Sequence, residues 1–370
     1  MVIDRIELRH VRLRLKAPFE TSFGAKQDID HVLVRLDSEG LTGWGEAACQ
    51  ATPYYSPDTV ETTWHVLRDF VVPAVLGRDL AGPGALPSEV TRIRGHPYAK
   101  AALDMALWDL EGKRRGVPVA RLLGGTRERV ESGVSLGLEA GGIDALRPAI
   151  DRFLAEGYRR IKLKIKPGQD EALAAAFRRA YPTTPLMLDA NSAYTLADLP
   201  LFQRLDAYDL LMIEQPLAHD DLVDHAELQR AIRTPLCLDE SVRSAEDGRK
   251  ALAIGACRIV NIKVGRVGGL SEAKRLHDVC AARGAPVWCG GQHEFGIGRA
   301  ANVALASLPG FTLPGDISAT DRYYVEDIAE PPFVVERGTL AVPSRPGLGV
   351  EVVPDRLERA TLARLEFRAR

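Results

Sequence analysis

The chain has 370 residues, of which 46% are hydrophobic and 26% charged, enough to bury a large core and too apolar for a disordered protein. Its formal net charge of -2, with both signs spread along its length, leaves no basic patch for nucleic acid and no acidic tail. The five cysteines are odd in number, far apart and free of C-x-x-C spacing, which argues against a disulfide framework or zinc knuckle and for a reducing cytoplasm.

The amino end, MVIDRIELRHVRLRLKAPF, lacks both a signal-peptide core and any apolar run of roughly 18 residues that could cross a bilayer, so no membrane anchor is expected. Ile6, Leu8, Val11 and Leu13, then Val32, Val34 and Leu36, alternate with polar positions and predict a small antiparallel sheet up to about residue 50. From about Ser56 to Leu123 the spacing turns helical. In AKAALDMALWDLEGKRRG, Ala102, Met105, Ala106 and Leu110 share a face, and Gly116 can end the helix. Residues 1–130 therefore read as an α+β domain.

From Val134 a second rhythm begins: GVSLG, RRIKLKI, PLMLDA, LLMIEQ, PLCLDE, RIVNIK, PVWCGG and FTLPGD, short β-rich runs with helical stretches between them. Eight such steps favour a closed barrel over residues 131–325 rather than an open doubly wound sheet. From about Pro332 strand-like alternation returns, and residues 326–370 are expected to pack back on the first domain. The fold class is thus α/β, a barrel with an α+β capping domain completed by the carboxyl-terminal segment.

Five ionisable residues end successive apolar runs: Lys164, Asp189, Glu214, Asp239 and Lys263. They follow one another at 25, 25, 25 and 24 residues, about one βα unit each, which predicts a common rim at the carboxyl-terminal face of a barrel. A single strand-end acid often caps the next helix. Three in register are different: buried like charges repel unless protonated or neutralised by a cation. Oxygen-only donors favour Mg²⁺, with Mn²⁺ or another divalent ion as substitute. Lys162 and Lys164 lie two apart on a strand and point to the same side, whereas Lys166 falls past the strand end. A lysine beside a divalent cation and a second lysine is expected to have a lowered pKa and to act as a base. Lys263, four strands round from Lys164, is expected to face it across the pocket, and two opposed bases allow racemisation.

The set K-x-K, D-A-N, E-Q-P, D-E-S and N-I-K at these intervals resembles the enolase superfamily, in its muconate lactonizing enzyme subgroup. RIKLKIKPG, DANSAYTL, NIKVGRVGG and GRAANVALASLPGFTLPGD are similar to the o-succinylbenzoate synthase and N-succinylamino acid racemase family, over nearly the whole chain. The resemblance implies a modified TIM barrel, (β/α)7β. It further implies Asp189, Glu214 and Asp239 as Mg²⁺ ligands and Lys164 and Lys263 as the catalytic pair in a racemase or lyase. Lysine bases working with a metal-stabilised enolate are an established trait of this superfamily. By the same resemblance Lys162 is expected to bond the substrate carboxylate, Asn191 to orient neighbouring groups, and Ser135 to lie near the acyl end. Phe19 and Phe23 from one loop and Tyr55 from another are expected to cover the site, with Gly291, Gln292, His293 and Tyr323 along a wall.

Arg266 resembles an arginine of racemase-type members. Asp316-Ile317-Ser318 lacks the D-x-D with which dipeptide epimerases bind an amino group, so a free amine is disfavoured. The chain departs from the family's G-G-M pattern at Gly290-Gly291-Gln292-His293, which leaves acyl and side-chain preference open. A histidine here resembles the base of the mandelate racemase subgroup. That base works with an aspartate where this chain has Lys263, so His293 reads as pocket lining. A dedicated synthase, a dipeptide epimerase or cycloisomerase, and a non-catalytic barrel are the alternatives. The partner expected is a small-molecule carboxylate, with no nucleic acid, no membrane and a homo-oligomeric state.

Overall fold

The computed structural model describes residues 1–21, 24–137 and 141–369, with backbone alone for residues 19–21, 24 and 25. Strands β1 (Arg5–Thr21), β2 (Gly24–Ser38) and β3 (Leu41–Ala47) form an antiparallel sheet whose outer strand is the carboxyl-terminal segment Thr361–Arg368, paired with β1. Period-two burial of Ile6, Leu8, Val32, Val34 and Leu36 gives this sheet its own apolar face. Helix α1 (Val60–Val66) follows, and then α2 (Pro97–Arg115), which ends at Gly116 with φ 67°, as the sequence predicts.

The one-sided helix read from Ala102, Met105, Ala106 and Leu110 needs correction: α2 is buried almost all round, including Asp104, Asp109 and Glu111. It is wedged between β3 and the second half of the molecule. On one side Gly43 and Gly45 let it touch the strand, since a Cβ at either would overlap the carbonyl oxygens of Ala106 and Ala102. On the other, Trp108 Nε1 and Asp104 both bond Ser271 on helix α3 (Leu270–Ala281).

Seven parallel strands in sequence order make the barrel: β4 (Val134–Leu136), β5 (Ile161–Lys164), β6 (Leu186–Asp189), β7 (Met212–Glu214), β8 (Leu236–Leu238), β9 (Ile259–Ile262) and β10 (Val287–Cys289). The eighth run, FTLPGD, is no regular strand but bridges both open edges, Phe311 to Val287 and Gly315 to Ser132. Prolines and glycines in it preclude a continuous ladder. Thr339–Ala341 pairs with Arg129–Glu131 on one side and with Val335–Glu336 on the other; farther along, Leu348 N donates to Asp109 of α2, Glu358 pairs with Arg9 of β1, and the last strand joins the capping sheet. Among the described residues no helix is long and apolar enough to cross a membrane.

Candidate active site

Strand register places the predicted charges side by side. Lys164 is opposite Asp189, and Asp189 is opposite Glu214. Asp239 and Lys263 follow directly after β8 and β9. A cavity of about 830 Å³, counting its open mouth, is lined among others by Lys162, Lys164, Asp189, Asn191 and Lys263. Ser135, Tyr55, Gly291, Gln292, His293 and Tyr323 also line it. The structure thus brings most of the sequence-derived residues to one place.

Lys162 Nζ donates to Glu214 at 2.9 Å and pairs with Asp316 at 2.5 Å, while Lys164 Nζ donates to Asp189 at 2.6 Å and to Asn191 Oδ1 at 2.5 Å. Lys263 Nζ reaches Asp239 at 2.7 Å and the Tyr55 hydroxyl at 2.8 Å. Tyr55 therefore carries the capping domain into the site. Burial alone would raise the Asp189 carboxyl, but the ammoniums of Lys164 and Lys162 outweigh it and hold it below the usual range. Burial and then the charge of Asp189 push Glu214 up. The lowered lysine pKa expected from the sequence presupposes a bound divalent ion; the protein groups alone shift Lys263 upward. Burial opposes its charge, yet Tyr55, Glu214 and Glu240 hold it above its ordinary value.

Among the described residues no three acidic, histidine or cysteine side chains stand close enough to hold a metal ion as placed. The oxygens of the expected trio are met instead by lysines, with Arg266 against Asp239. The donor chemistry still suits a hard divalent ion. Glu240 Oε2 and Asn261 Oδ1, next to Asp239 and bonded to Glu214 respectively, are buried without a hydrogen-bond partner.

Arg266 does not line the cavity. It lies behind the wall, donating to the carbonyls of Val242 and Asn261 and pairing with Asp239. Phe23 lies outside the described residues, as does the side chain of Phe19. His293 is half-buried, with its backbone in the left-handed region, φ 62°; desolvation, then the nearby Lys26 charge, keep its imidazole well below its usual pKa and therefore neutral. Glu46 of β3 fixes the loop carrying it by accepting from Phe295 N at 2.8 Å and Gly298 N at 2.7 Å, at the start of helix α4 (Gly296–Ala306). Lys26, Gln50, Glu240 and Asp316 were missed as site residues. Glu240 directly follows a strand-end acid, a usable signal; Lys26 and Gln50 have none in their local sequence.

Residues 4–124 match the model of the mandelate racemase / muconate lactonizing enzyme amino-terminal domain, and residues 145–356 match the enolase carboxyl-terminal domain-like model. The chain is 52% identical to an o-succinylbenzoate synthase of Geobacillus kaustophilus, covering 97% of this chain and 96% of that one. It is 49% identical to an N-succinylamino acid racemase of Thermus thermophilus, covering 98% of each. A crystal structure of an enolase superfamily member from Listeria innocua superposes with a TM-score of 0.96 at 39% identity, covering 100% of this chain and 99% of that one.

Proposed function

Since the chain belongs to the mandelate racemase / muconate lactonizing enzyme family of the enolase superfamily, we propose that it is an N-succinylamino acid racemase with o-succinylbenzoate synthase activity. The observation that carries this reading is that Lys164 and Lys263, from the second and sixth strands, line one cavity with carboxylates beside each.

Enzymes of this superfamily generally use Mg²⁺. Asp189, Glu214 and Asp239 would hold that ion, which would supply positive charge against the charge that develops on the substrate carboxylate. Lys164 takes the α-proton at Nζ. Lys263, held protonated by Tyr55 and the acids near it, returns a proton from the other face in racemisation and remains an ammonium in the synthase reaction. Lys162 hydrogen-bonds the carboxylate, and Asn191 steers Lys164 through its Oδ1. Tyr55 excludes water above Lys263, its ring centroid 4.6 Å from Nζ. Arg266 acts through Asp239 and Tyr55, not by touching substrate.

Asp316 is already neutralised by both Arg160 and Lys162, which leaves little net negative charge there to attract a substrate ammonium and weighs against a dipeptide epimerase. A dedicated synthase is the second reading, favoured by the 52% identity to a protein of that name. Five free, buried cysteines support a cytoplasmic site of action.

The experiment is α-proton exchange of N-succinylphenylalanine in D₂O with Mg²⁺ or with EDTA, in parallel with dehydration of the synthase substrate. Lys164→Ala and Lys263→Ala are each expected to abolish racemisation. Turnover retained in either variant refutes the two-base assignment, and dehydration without racemisation selects the dedicated synthase.

A further inference from the structure

Five cationic side chains line the cavity: Lys26, Lys162, Lys164, Lys263 and Arg299. Four of them have an acid. Lys162 has Asp316 at 2.5 Å, Lys164 has Asp189 at 2.6 Å, Lys263 has Asp239 at 2.7 Å, and Arg299 has Asp327 at 3.8 Å. Lys26 has no acid partner among the described residues. Its surroundings act the other way: burial, then the positive charges of Lys164 and Lys263, pull its ammonium down to about 8. At neutral pH it is still mostly protonated, a half-buried cation facing two others.

Lys26 stands near the start of β2, opposite Phe19, so it enters the cavity from the capping sheet and not from the barrel strands that hold the reacting groups. It is close enough to His293 for its charge to act on that ring, and Gln50 and Ser318 line the same cavity. This wall is polar and net positive, whereas an apolar acyl chain or side chain would want an apolar one.

We propose that Lys26 is the receptor for a second carboxylate of the substrate, remote from the reacting carbon, and that it makes the enzyme select dianionic over monoanionic substrates. The inference rests on the α-proton chemistry of the preceding section. The second carboxylate either ends the N-acyl group or belongs to an acidic amino-acid side chain. Both present the same chemistry to the ammonium, a charge-assisted hydrogen bond in a cavity largely shielded from water.

The test compares N-succinylphenylalanine, with the extra carboxylate on the acyl group, N-acetylglutamate, with it on the side chain, and N-butyrylphenylalanine, with none. Exchange in D₂O gives kcat and KM for each, and calorimetry gives the binding constants. In Lys26→Met the kcat/KM ratio of one dianionic substrate to the monoanionic one is expected to fall about 30-fold, the loss of one charged hydrogen bond, mainly through KM. Lys26→Arg should keep most of the ratio, and Lys166→Met, at an exposed position past the strand end, should leave it unchanged. The arm that falls identifies the source: the succinyl arm the acyl end, the glutamate arm the side chain. Dianion affinity in the native enzyme should also decline above about pH 8, as Lys26 loses its proton, while the monoanionic compound shows no such loss. An unchanged ratio in Lys26→Met, or equal losses on all three substrates, overturns the proposal. If the native enzyme exchanges none of them, the preceding section is wrong. Calorimetry still decides on Lys26, because preferential dianion binding must be present in the native protein and lost in the methionine variant.

Discussion

Two tiers of the barrel interior, two residues apart on the same strands, could hardly differ more. The lower tier holds Met187, Met212, Cys237, Ile259 and Trp288, none more than 4% exposed, in an apolar cluster of their own. The upper tier holds Asp189, Glu214, Asp239 and their lysines. Trp288 is the meeting point, with the Arg160 guanidinium 5.2 Å and the Lys162 ammonium 5.0 Å from its ring centroid. The lower tier contributes burial to stability, about 25 cal/mol per Å². In the upper tier the cost of desolvating charge offsets much of the attraction between the pairs, so it adds little stability while creating the field that the chemistry needs. Fold and function are therefore separable along a strand.

The comparison breaks first if upper-tier changes unfold the protein. Lys164→Ala and Lys263→Ala should cut racemisation by about 10³-fold or more, with thermal midpoints near that of the native protein by calorimetry. Hollowing the lower tier should do the reverse. Met212→Ala is expected to cost about 3 kcal/mol in urea unfolding while kcat/KM stays near its native value. Another buried acid, Asp104, lies outside both tiers and sharpens the point about buried charge. Burial raises its carboxyl to about 6 from 3.8, against hydrogen bonds from Ser271 that act the other way. Between those two values the folded protein binds more protons than the unfolded chain, so this group's stabilisation is full below about pH 4 and lost as pH rises through 6. The loss is at most about 3 kcal/mol, visible as a falling denaturation midpoint that Asp104→Asn should flatten. The smallest effect sets the baseline. Thr59→Ala removes the capping box at the start of α1, a part of neither tier, and should cost about 1 kcal/mol in urea unfolding.

The upper tier was legible because its residues end strands of one repeated unit, so that regular intervals in sequence become neighbours in register. The lower tier carries no such mark; methionine, cysteine and tryptophan in apolar runs are ordinary core. Lys26 and Gln50 were not legible for another reason: the capping sheet brings them to the cavity, and nothing in their own neighbourhood signals that contact. Two-sided burial of α2 hid its role, since a helix wedged between two layers shows no polar face. Arg266 was placed on the right loop but a layer too close to the substrate, because sequence spacing does not tell a wall from the residue behind it.

The pairing of β1 with Thr361–Arg368 has a consequence for biosynthesis. A nascent chain that folds as it emerges has β1, β2 and β3 available early, yet one flank of β1 stays unzipped until Thr361–Arg368 has left the ribosome. Over that interval the flank is a template for wrong partners. Arginines at positions 5, 9, 12 and 14 along this strand are the charged gatekeepers that would keep two unfinished copies apart.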